Sequence, residues 1–531
     1  MGAVRVCALL IWALLMQVNC CCSTACTRRD AADGFVCVCN GQSCDSIPTL
    51  VHTAGAAAIV ESGQTVGVMQ QSSVAFNRSA PSGGSAHITL NTTRHYQELL
   101  GFGGAFTDAA GLNIRSLSTE AQKNLMMSYF SHTTGIKYTV GRVPMASCDF
   151  STHQYSYDDS PGDFELANFT LTGEDLQLKI PLIQLAGELA GKPLRLFGSP
   201  WSAPAWMKTN DNMSGRGWLK GAVGDKYHKT WALYFVRFME EYAKHNLTFW
   251  GLTVQNEPAD GFIPFFPFQS MYFSAETERD FVKTDLGPTL AAHGHQDVKL
   301  MILDDQRIFL PGFAKTVLSD PDAAKYVSGV AVHWYLDAVA SSSDLEETHD
   351  SFPEKFIFSS EACEGSEPLS RGVKLGSWSR AESYAHDIIT DLNHWVVGWT
   401  DWNLALNGTG GPNWAHNYVD SPIIVNPSKD EFYKQPMYYA IGHFSAFILP
   451  GSVRIHTDLS EPFLSWDLET VSFLTPAAIS GLQQDLVTTV ILNKHNTAQT
   501  VVFYDPSAGY IERDVQANSI VTIQYPLRSQ A

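Results

Sequence analysis

Charged residues are scarce in this sequence, and basic residues are the scarcer sign. Asp, Glu, Lys and Arg together make up 17% of the 531 residues, and the formal net charge is −19. Nucleic-acid binding requires a basic surface, so this composition excludes that class of function. The negative charge also opposes binding to anionic membranes at neutral pH, and an acidic compartment, where the 17 His begin to charge, eases that repulsion.

Long apolar runs are absent beyond the N-terminus. Residues 6–18 are apolar apart from Gln17, but this run is shorter than the roughly 20 residues of a membrane-spanning helix. Arg5 precedes the run and small residues follow it up to Ala25, which together predict a secretory signal peptide over residues 1–25. We therefore expect no transmembrane segment and a chain that enters the secretory pathway.

Metal-binding spacings are absent as well. Four cysteines outside the predicted signal crowd into one short segment: Cys26, Cys37, Cys39 and Cys44. Their spacing does not match the Cys-x-x-Cys pairs of zinc sites, and an oxidising compartment favours two disulfides among them. Cys148 and Cys363 are left as unpaired thiols. We expect neither a metal nor an organic cofactor.

Sequons of the form Asn-x-Ser/Thr are present and, with a secretory signal, predict a glycoprotein. We expect glycosylation at Asn77, Asn91, Asn168, Asn212 and Asn246. A further sequon at Asn407 lies in a Gly-rich loop after a predicted site strand, and its occupancy stays open.

From residue 98 onward, strand-like and helix-like segments alternate, a pattern typical of a parallel (β/α)8 barrel. Helical stretches such as Asp175–Ala190 and Tyr227–His245 separate the apolar runs. The length of the chain suits a barrel of about 250 residues with additional domains. Eight runs are predicted as the barrel strands: Glu98–Phe106, Lys137–Pro144, Leu194–Pro200, Phe249–Gln255, Val298–Leu303, Val327–Trp334, Phe356–Ser360 and Val396–Trp402.

Short alternating β segments flank this region on both sides. They are rich in Ser, Thr and Val and are separated by Gly and Pro turn signals. Because chain ends often lie close together, we predict one discontinuous β-sandwich from residues 51–97 with 452–531. The barrel then comprises residues 98–402 with 437–451.

Two glutamates stand where strand-like runs end. Glu257 ends the run that starts at Leu247, and Glu361 follows the run that starts at Lys355. Since the carboxyl ends of parallel strands meet on one face of a barrel, the two side chains can converge. Two carboxyls about 5 Å apart supply the nucleophile and the acid/base of a retaining glycosidase. From spacing alone, carboxylates that cap helices or form salt bridges explain the pair equally well.

Six segments carry motifs in a fixed order along the chain: 101–108 (GFGGAFTD), 142–150 (RVPMASCDF), 199–206 (SPWSAPAW), 332–335 (VHWY), 360–363 (SEAC) and 398–407 (GWTDWNLALN). Together they resemble the lysosomal glucosylceramidases of glycoside hydrolase family 30, and the resemblance runs from about residue 26 to the C-terminus. It implies hydrolysis of glucosylceramide to glucose and ceramide with retention. It also implies a small extra β domain from residues 26–50 with 403–436, with disulfides Cys26–Cys37 and Cys39–Cys44.

The resemblance also implies roles for individual residues. Glu361 becomes the nucleophile and Glu257 the acid/base, while Arg142 helps to keep the nucleophile ionised and Asn256 donates to the sugar 2-hydroxyl. His333 is assigned to tuning the electrostatics of the site, and the alternative is a packed core histidine whose hydrogen bonds are all made within the protein. Substrate-binding positions, for which core packing is the alternative, are Asp149, Trp201, Tyr335, Trp402, Asn417 and Phe268.

The loop Gly261–Phe268 is unusually apolar and directly follows the acid/base strand. An exposed patch of this kind suits an acyl chain or a membrane surface, with burial under a neighbouring loop as the alternative. Phe266 stands where the family's pattern has a hydroxylated aromatic. The resemblance further implies peripheral membrane association in the lysosome lumen, with anionic lipid and a saposin-type activator as partners.

Two other functions stay open at this point. A related barrel hydrolase could act on β-glucan or xylan, and the apolar loop after Glu257 argues against that substrate. A catalytically silent glycolipid-binding protein is the other alternative, and the presence of both glutamates argues against it.

Overall fold

The computed structural model describes residues 25–84, 86–461 and 467–527. The predicted signal peptide, residues 1–25, lies outside the described residues except for Ala25. Among the described residues, every helix is too short or too polar to span a bilayer.

The described elements begin with short strands, continue with alternating strands and helices, and end with strands. The strands are β1 (Arg28–Ala31), β2 (Gly34–Asn40), β3 (Ala56–Gly63), β4 (Gly67–Ala75), β5 (Ala86–Glu98), β6 (Gly101–Ala105), β7 (Val140–Met145), β8 (Arg195–Pro200), β9 (Phe249–Thr253), β10 (Lys299–Gln306), β11 (Val327–His333), β12 (Phe356–Ala362), β13 (Val396–Asn403), β14 (Leu406–Asn407), β15 (Ile423–Asn426), β16 (Glu431–Lys434), β17 (Val453–Ser460), β18 (Leu468–Thr475), β19 (Leu486–Asn493), β20 (Gln499–Asp505), β21 (Gly509–Val515) and β22 (Ser519–Pro526). The α-helices are α1 (Asp108–Arg115), α2 (Thr119–Phe130), α3 (Ile180–Ala190), α4 (Lys226–Ala243), α5 (Ala275–Phe281), α6 (Gly287–Ala292), α7 (Gly312–Leu318), α8 (Pro321–Ala324), α9 (Ser343–Ser351), α10 (Trp378–Asn393), α11 (Pro436–Ser445) and α12 (Ala477–Ser480).

The predicted barrel is confirmed. Strands β6 to β13 pair in parallel, each with the next along the chain, and β13 closes onto β6. Apolar side chains from five of the strands fill its interior: Val140, Phe197, Met301, Ala331 and Phe358. Because this interior is a packed core, the barrel carries its polar groups at the strand ends.

A second sheet takes its strands from both sides of the barrel in sequence, in the order β21-β20-β5-β17-β18-β19-β22-β3-β4. It folds over itself as a β-sandwich, which brings Phe503 of β20 to a centroid distance of 6.1 Å from Tyr525 of β22. Helix α11 is buried along its whole length and connects the barrel to this sheet. Its His443 lies 2.8 Å from the hydroxyls of both Ser62 and Thr522.

A third sheet, in the order β1-β2-β16-β15-β14, contains the two disulfides that the resemblance implies, Cys26–Cys37 and Cys39–Cys44. Lys434 at the end of β16 is fully buried and donates to the Asp45 carbonyl at 2.7 Å. Its ammonium also lies 3.3 Å from the Asp45 carboxylate. This ion pair attaches the segment after the second disulfide to the sheet.

We expect Lys434→Met to destabilise the protein by about 3–5 kcal/mol, because the Asp45 carboxylate then stays buried without its cation. Differential scanning calorimetry measures the effect. The control is Lys429→Met, on the exposed turn before β16. An unchanged melting temperature for Lys434→Met would contradict the importance of this ion pair.

Candidate active site

The polar residues predicted for the site gather at the carboxyl ends of the barrel strands. Parallel pairing turns all eight strand ends toward the same face of the barrel. The barrel positions are Arg142 in β7, Trp201 after β8, Asn256 and Glu257 after β9, His333 at the end of β11, Glu361 in β12 and Trp402 in β13.

The two glutamates meet across the barrel mouth. One carboxylate oxygen of Glu257, one of Glu361 and one ring nitrogen of His333 all lie within 4.8 Å of one another. Glu257 has a left-handed backbone, with φ at 40°, a conformation that non-glycine residues adopt at an energetic cost. The backbone N–H of Glu257 donates to the Asp304 carbonyl at 2.9 Å, which holds this turn against β10.

Arg142 is fully buried and connects four neighbours. Its guanidinium donates to the Glu361 carboxylate, to Asn256 Oδ1 at 2.8 Å and to Asp304 Oδ2 at 2.8 Å. Its Nε donates to the Ser199 hydroxyl at 3.2 Å. Arg142 therefore orients Asn256 and supplies the positive charge that a buried carboxylate at Glu361 needs.

Asp304 is a central residue that the sequence analysis missed. Its side chain is fully buried and accepts hydrogen bonds from Arg142, from Thr253 at 2.6 Å and from Ser360 at 2.6 Å, while Oδ1 lies 3.0 Å from His333 Nε2. The Arg142 charge and the His333 contact hold the pKa of Asp304 below its usual range despite burial. A β-bulge in β10 aims this side chain inward, since the register with β11 shifts between Leu303 and Asp305.

His333 links Asp304 to Glu257. Its Nδ1 lies 3.1 Å from Glu257 Oε1, and the same oxygen accepts from Gln306 Nε2 at 2.9 Å. Burial by itself lowers the pKa of His333, but the negative charges of Glu361 and Asp304 outweigh burial and raise it to about 10. His333 is therefore an imidazolium at neutral and acidic pH.

The two glutamates respond differently to this environment. Burial raises the pKa of Glu361 even though Arg142 and His333 act in the opposite direction. The pKa of Glu257 is lowered, because its hydrogen bond with His333 and the charge of that ring outweigh burial. At this separation the two carboxyls titrate as a pair, so a proton on one changes the pKa of the other.

Beside the carboxyl pair, a polar group and two indoles form a surface suited to a sugar. Asp149 Oδ2 accepts from Asn413 and from Asn417, each at 3.1 Å, and burial raises the Asp149 pKa to about 7. Trp201 and Trp402 stack with centroids 5.1 Å apart. Carboxylate and indole groups in this arrangement offer hydrogen bonds to hydroxyls and an apolar face to a ring.

A cavity of about 270 Å³ opens over these groups. The Tyr335 hydroxyl donates to Glu361 Oε1 at 2.7 Å and lies 3.4 Å from Cys363 Sγ. Cys148 and Cys363 are both buried free thiols. Arg142, Asn256 and His333 are buried beside the groups that line the cavity. The predicted residues that line it are Asp149, Trp201, Glu257, Phe268, Tyr335, Glu361, Trp402 and Asn417.

Clusters of acidic and basic side chains also raise the question of metal binding. Glu257, His333 and Glu361 are close enough to share an ion, but each already has a charged or hydrogen-bonding partner in the protein. A second cluster, Asp337 with Asp387 and Asp391, faces the guanidinium of Arg307. Neither cluster offers an unpartnered set of ligands.

Several lining and supporting residues were not predicted from sequence: Asp260, Asp304, Gln306, Asn413 and Ser360. A signal existed for Asp304, since Asp304 and its neighbour Asp305 directly follow the apolar run Val298–Leu303. The predicted strand stopped at Leu303, whereas β10 continues to Gln306. Paired acids at the end of an apolar run are therefore a signal for site residues, as the two glutamates are.

Comparison with known families matches this architecture. The glycosyl hydrolase family 30 TIM-barrel domain matches residues 99–448, and the family 30 beta sandwich domain matches residues 451–523. These ranges contain the barrel and most strands of the sandwich.

Individual proteins are similar over nearly the whole chain. The lysosomal acid glucosylceramidase of Mus musculus is 49% identical over 489 residues, covering 92% of each chain. Putative glucosylceramidase 4 of Caenorhabditis elegans is 45% identical and covers 95% of each chain. Among solved structures, SrfJ from Salmonella typhimurium is similar with a TM-score of 0.79 and 28% identity, over 89% of this chain and 100% of that chain.

We expect the stability difference between the wild type and His333→Gln to depend on pH. The pKa of His333 is higher in the folded protein than in the unfolded chain. Protonation of this ring therefore stabilises the folded protein fully below about pH 6.5, and the contribution disappears as the pH rises toward about 10. The wild-type advantage should therefore shrink over that interval, by at most about 1.4 kcal/mol per pH unit. Urea unfolding from pH 5 to 10 measures it, with exposed His87→Gln as control; a constant difference would contradict an imidazolium at His333.

Proposed function

This chain belongs to glycosyl hydrolase family 30, and from that premise we propose that it hydrolyses the β-glucosidic bond of glucosylceramide with retention, releasing glucose and ceramide. The observation that carries the mechanism is the separation of the two carboxyls, whose oxygens lie within 4.8 Å. Retaining glycosidases hold their carboxyls about 5 Å apart, whereas inverting enzymes leave roughly 6.5–9.5 Å for a water molecule.

In the first step Glu361 attacks the anomeric carbon while Glu257 protonates the departing oxygen of ceramide. In the second step Glu257 removes a proton from water, and the water oxygen displaces Glu361 from the sugar. The guanidinium of Arg142 on one Glu361 oxygen and the Tyr335 hydroxyl on the other support the nucleophile as a carboxylate. In the resting pair the raised pKa of Glu361 and the lowered pKa of Glu257 favour a proton on Glu361. The first step therefore requires that proton to move to Glu257 when the substrate binds.

Sugar recognition follows from the groups around the pair. Asp149 and Asn417 accept and donate hydrogen bonds to glucose hydroxyls, while Trp201 and Trp402 provide apolar faces. Asn256 is oriented by Arg142 through its Oδ1, which leaves its N–H groups for the sugar 2-hydroxyl. A hydrogen bond to that hydroxyl strengthens toward the oxocarbenium-like transition state.

The lipid part of the substrate is matched by an apolar rim on the strand-end face, defined here as Trp218, Phe262, Ile263 and Phe265. These side chains are 44%, 49%, 47% and 96% exposed. The guanidinium of Arg216 lies 4.0 Å from the centre of the Phe262 ring, so the rim carries positive charge beside its apolar groups. This combination supports peripheral association with anionic lipid, with a saposin-type activator as a further partner.

Localisation in the lysosome lumen is supported by two features. The pKa of Glu257 lies below its ordinary value, so the acid form required for the first step accumulates only as pH falls. The predicted glycosylation sites Asn77, Asn91, Asn168, Asn212 and Asn246 are all exposed, as a secreted or lysosomal glycoprotein requires. Asn407 is partly buried, unlike these five residues, which argues against a glycan there.

We expect a mechanism-based cyclitol epoxide to label Glu361 covalently. We expect Glu361→Gln to lose turnover by on the order of 10⁴-fold or more, because an amide cannot act as the nucleophile that forms the glycosyl-enzyme. Peptide mass mapping identifies the labelled residue. The matched control is Glu367→Gln, an exposed glutamate on the loop after β12. Label on a different residue, or α-glucose as first product, would contradict retention through Glu361.

We expect Phe265→Ser to reduce turnover of glucosylceramide in anionic vesicles by about tenfold, because this nearly fully exposed ring then no longer enters the lipid. Hydrolysis of a soluble aryl β-glucoside should stay unchanged. The matched control is Leu482→Ser, since Leu482 is 41% exposed on the sandwich, away from the rim. An equal loss of activity on both substrates would contradict a lipid-docking role for Phe265. Separately, faster turnover of β-glucan or xylan than of the glycolipid by the wild type would favour the polysaccharide alternative.

A further inference from the structure

A third carboxyl, Asp260, lies next to Glu257 at the wall of the cavity. The left-handed backbone of Glu257 leads directly into a turn of 3-10 helix over Pro258–Phe262. In this turn the backbone N–H of Asp260 donates to the Glu257 carbonyl at 3.0 Å. The turn folds the Asp260 side chain back onto Glu257, and the two carboxyls hydrogen-bond to each other.

Two carboxyls in a direct hydrogen bond must share at least one proton, because two carboxylates have only acceptors. Burial raises the pKa of Asp260 to about 10, with the neighbouring charges of Glu257 and Asp305 adding to the effect. Asp260 is accordingly a neutral carboxylic acid at acidic and neutral pH. The effect on Glu257 is the opposite, since a hydrogen bond from Asp260 lowers its pKa.

The charged groups around this pair come from several strands. From β10, the Asp305 carboxylate accepts the Ala259 N–H at 3.1 Å and faces the turn that carries Asp260. His333 at the end of β11 contacts the other side of Glu257, and Arg142 of β7 also lowers the Glu257 pKa. Glu361 of β12 completes the set. Asp260 itself lies among carboxyls, which favours its neutral form.

On the basis of the proposed function, we propose that Asp260 is a positioning residue of the acid/base: its protonated carboxyl donates a hydrogen bond to Glu257 and stabilises the Glu257 carboxylate that remains once the proton has passed to the leaving group. Because Asp260 and Glu257 are only three residues apart on one turn, the contact is built into the local backbone. It thereby tunes the strength of the acid directly.

The proton balance of both steps is simple. In glycosylation the Glu257 O–H bond breaks and its proton joins the glycosidic oxygen. The bond from the anomeric carbon to that oxygen breaks, its electron pair goes to the oxygen, and a carboxylate oxygen of Glu361 bonds to the carbon. In deglycosylation Glu257 recovers a proton from water as the water oxygen replaces Glu361. Asp260 keeps its own proton throughout, so its hydrogen bond favours the first step and weakens Glu257 as a base in the second.

The test compares Asp260→Ala, which removes the donor, with Asp260→Asn, which keeps a neutral N–H donor. The readout is kcat/KM against pH for aryl β-glucosides with poor and good leaving groups. We expect Asp260→Ala to move the alkaline limb of the kcat/KM profile to higher pH by about one unit. We also expect it to slow hydrolysis of the substrate with the poor leaving group about tenfold, the size expected for loss of a hydrogen bond to a charged group. Asp260→Asn should keep both the limb and the rate close to those of the wild type.

Either of two results would overturn the proposal. An alkaline limb that moves to lower pH in both variants would mean that Asp260 is ionised, and an unmoved limb in Asp260→Ala would mean that it only supports the turn. Exposed Asp322→Ala serves as control. Epoxide labelling of Glu361 in each variant reports whether the site is folded. If Asp260→Ala is labelled but the alkaline limb of its pH profile does not move, only the role of Asp260 is refuted. If the wild type is not labelled, the proposed function itself is refuted.

Discussion

The buried charge network of Arg142, Asp304 and His333 is the interaction on which the site depends. Asp304 is the shared acceptor, fully buried, with the guanidinium on one oxygen and the imidazole on the other. Two cations beside one anion leave net positive charge to compensate the carboxyls of Glu257 and Glu361. Without that charge, two buried acids this close together would be costly to ionise.

This network also explains why the glutamates behave as a pair. Burial raises the pKa of Glu361 while the His333 contact lowers that of Glu257, and their separation couples the two titrations. Asp260 extends the pair to a third carboxyl. Acid strength at this site is thus a property of the whole group of carboxyls and cations, and a single residue does not set it.

The strand-end face divides into a polar floor and an apolar rim. The floor holds the carboxyls, Asp149 and the two indoles, and the rim exposes Phe262 and Phe265 toward solvent. Gly261 makes this loop possible, since a Cβ there would lie 2.0 Å from the backbone nitrogen of Tyr272. A substrate with a sugar at one end and hydrocarbon at the other meets both surfaces at once.

The sequence alone determined the barrel, the sandwich and the family, and it predicted the two glutamates as a pair at one face, because apolar periodicity and ordered motifs are local in the chain. Only the tertiary structure revealed Asp304 and Asp260. Asp304 reaches the site through a bulge that shifts the register of β10, and Asp260 does so through a left-handed residue that starts a tight turn. The first depends on the pairing of β10 with a neighbouring strand, and the second on a local turn that the hydrogen bond from Glu257 to the Asp304 carbonyl holds against β10. Proton sharing among carboxyls likewise follows from distances between strands that no local pattern in the sequence encodes.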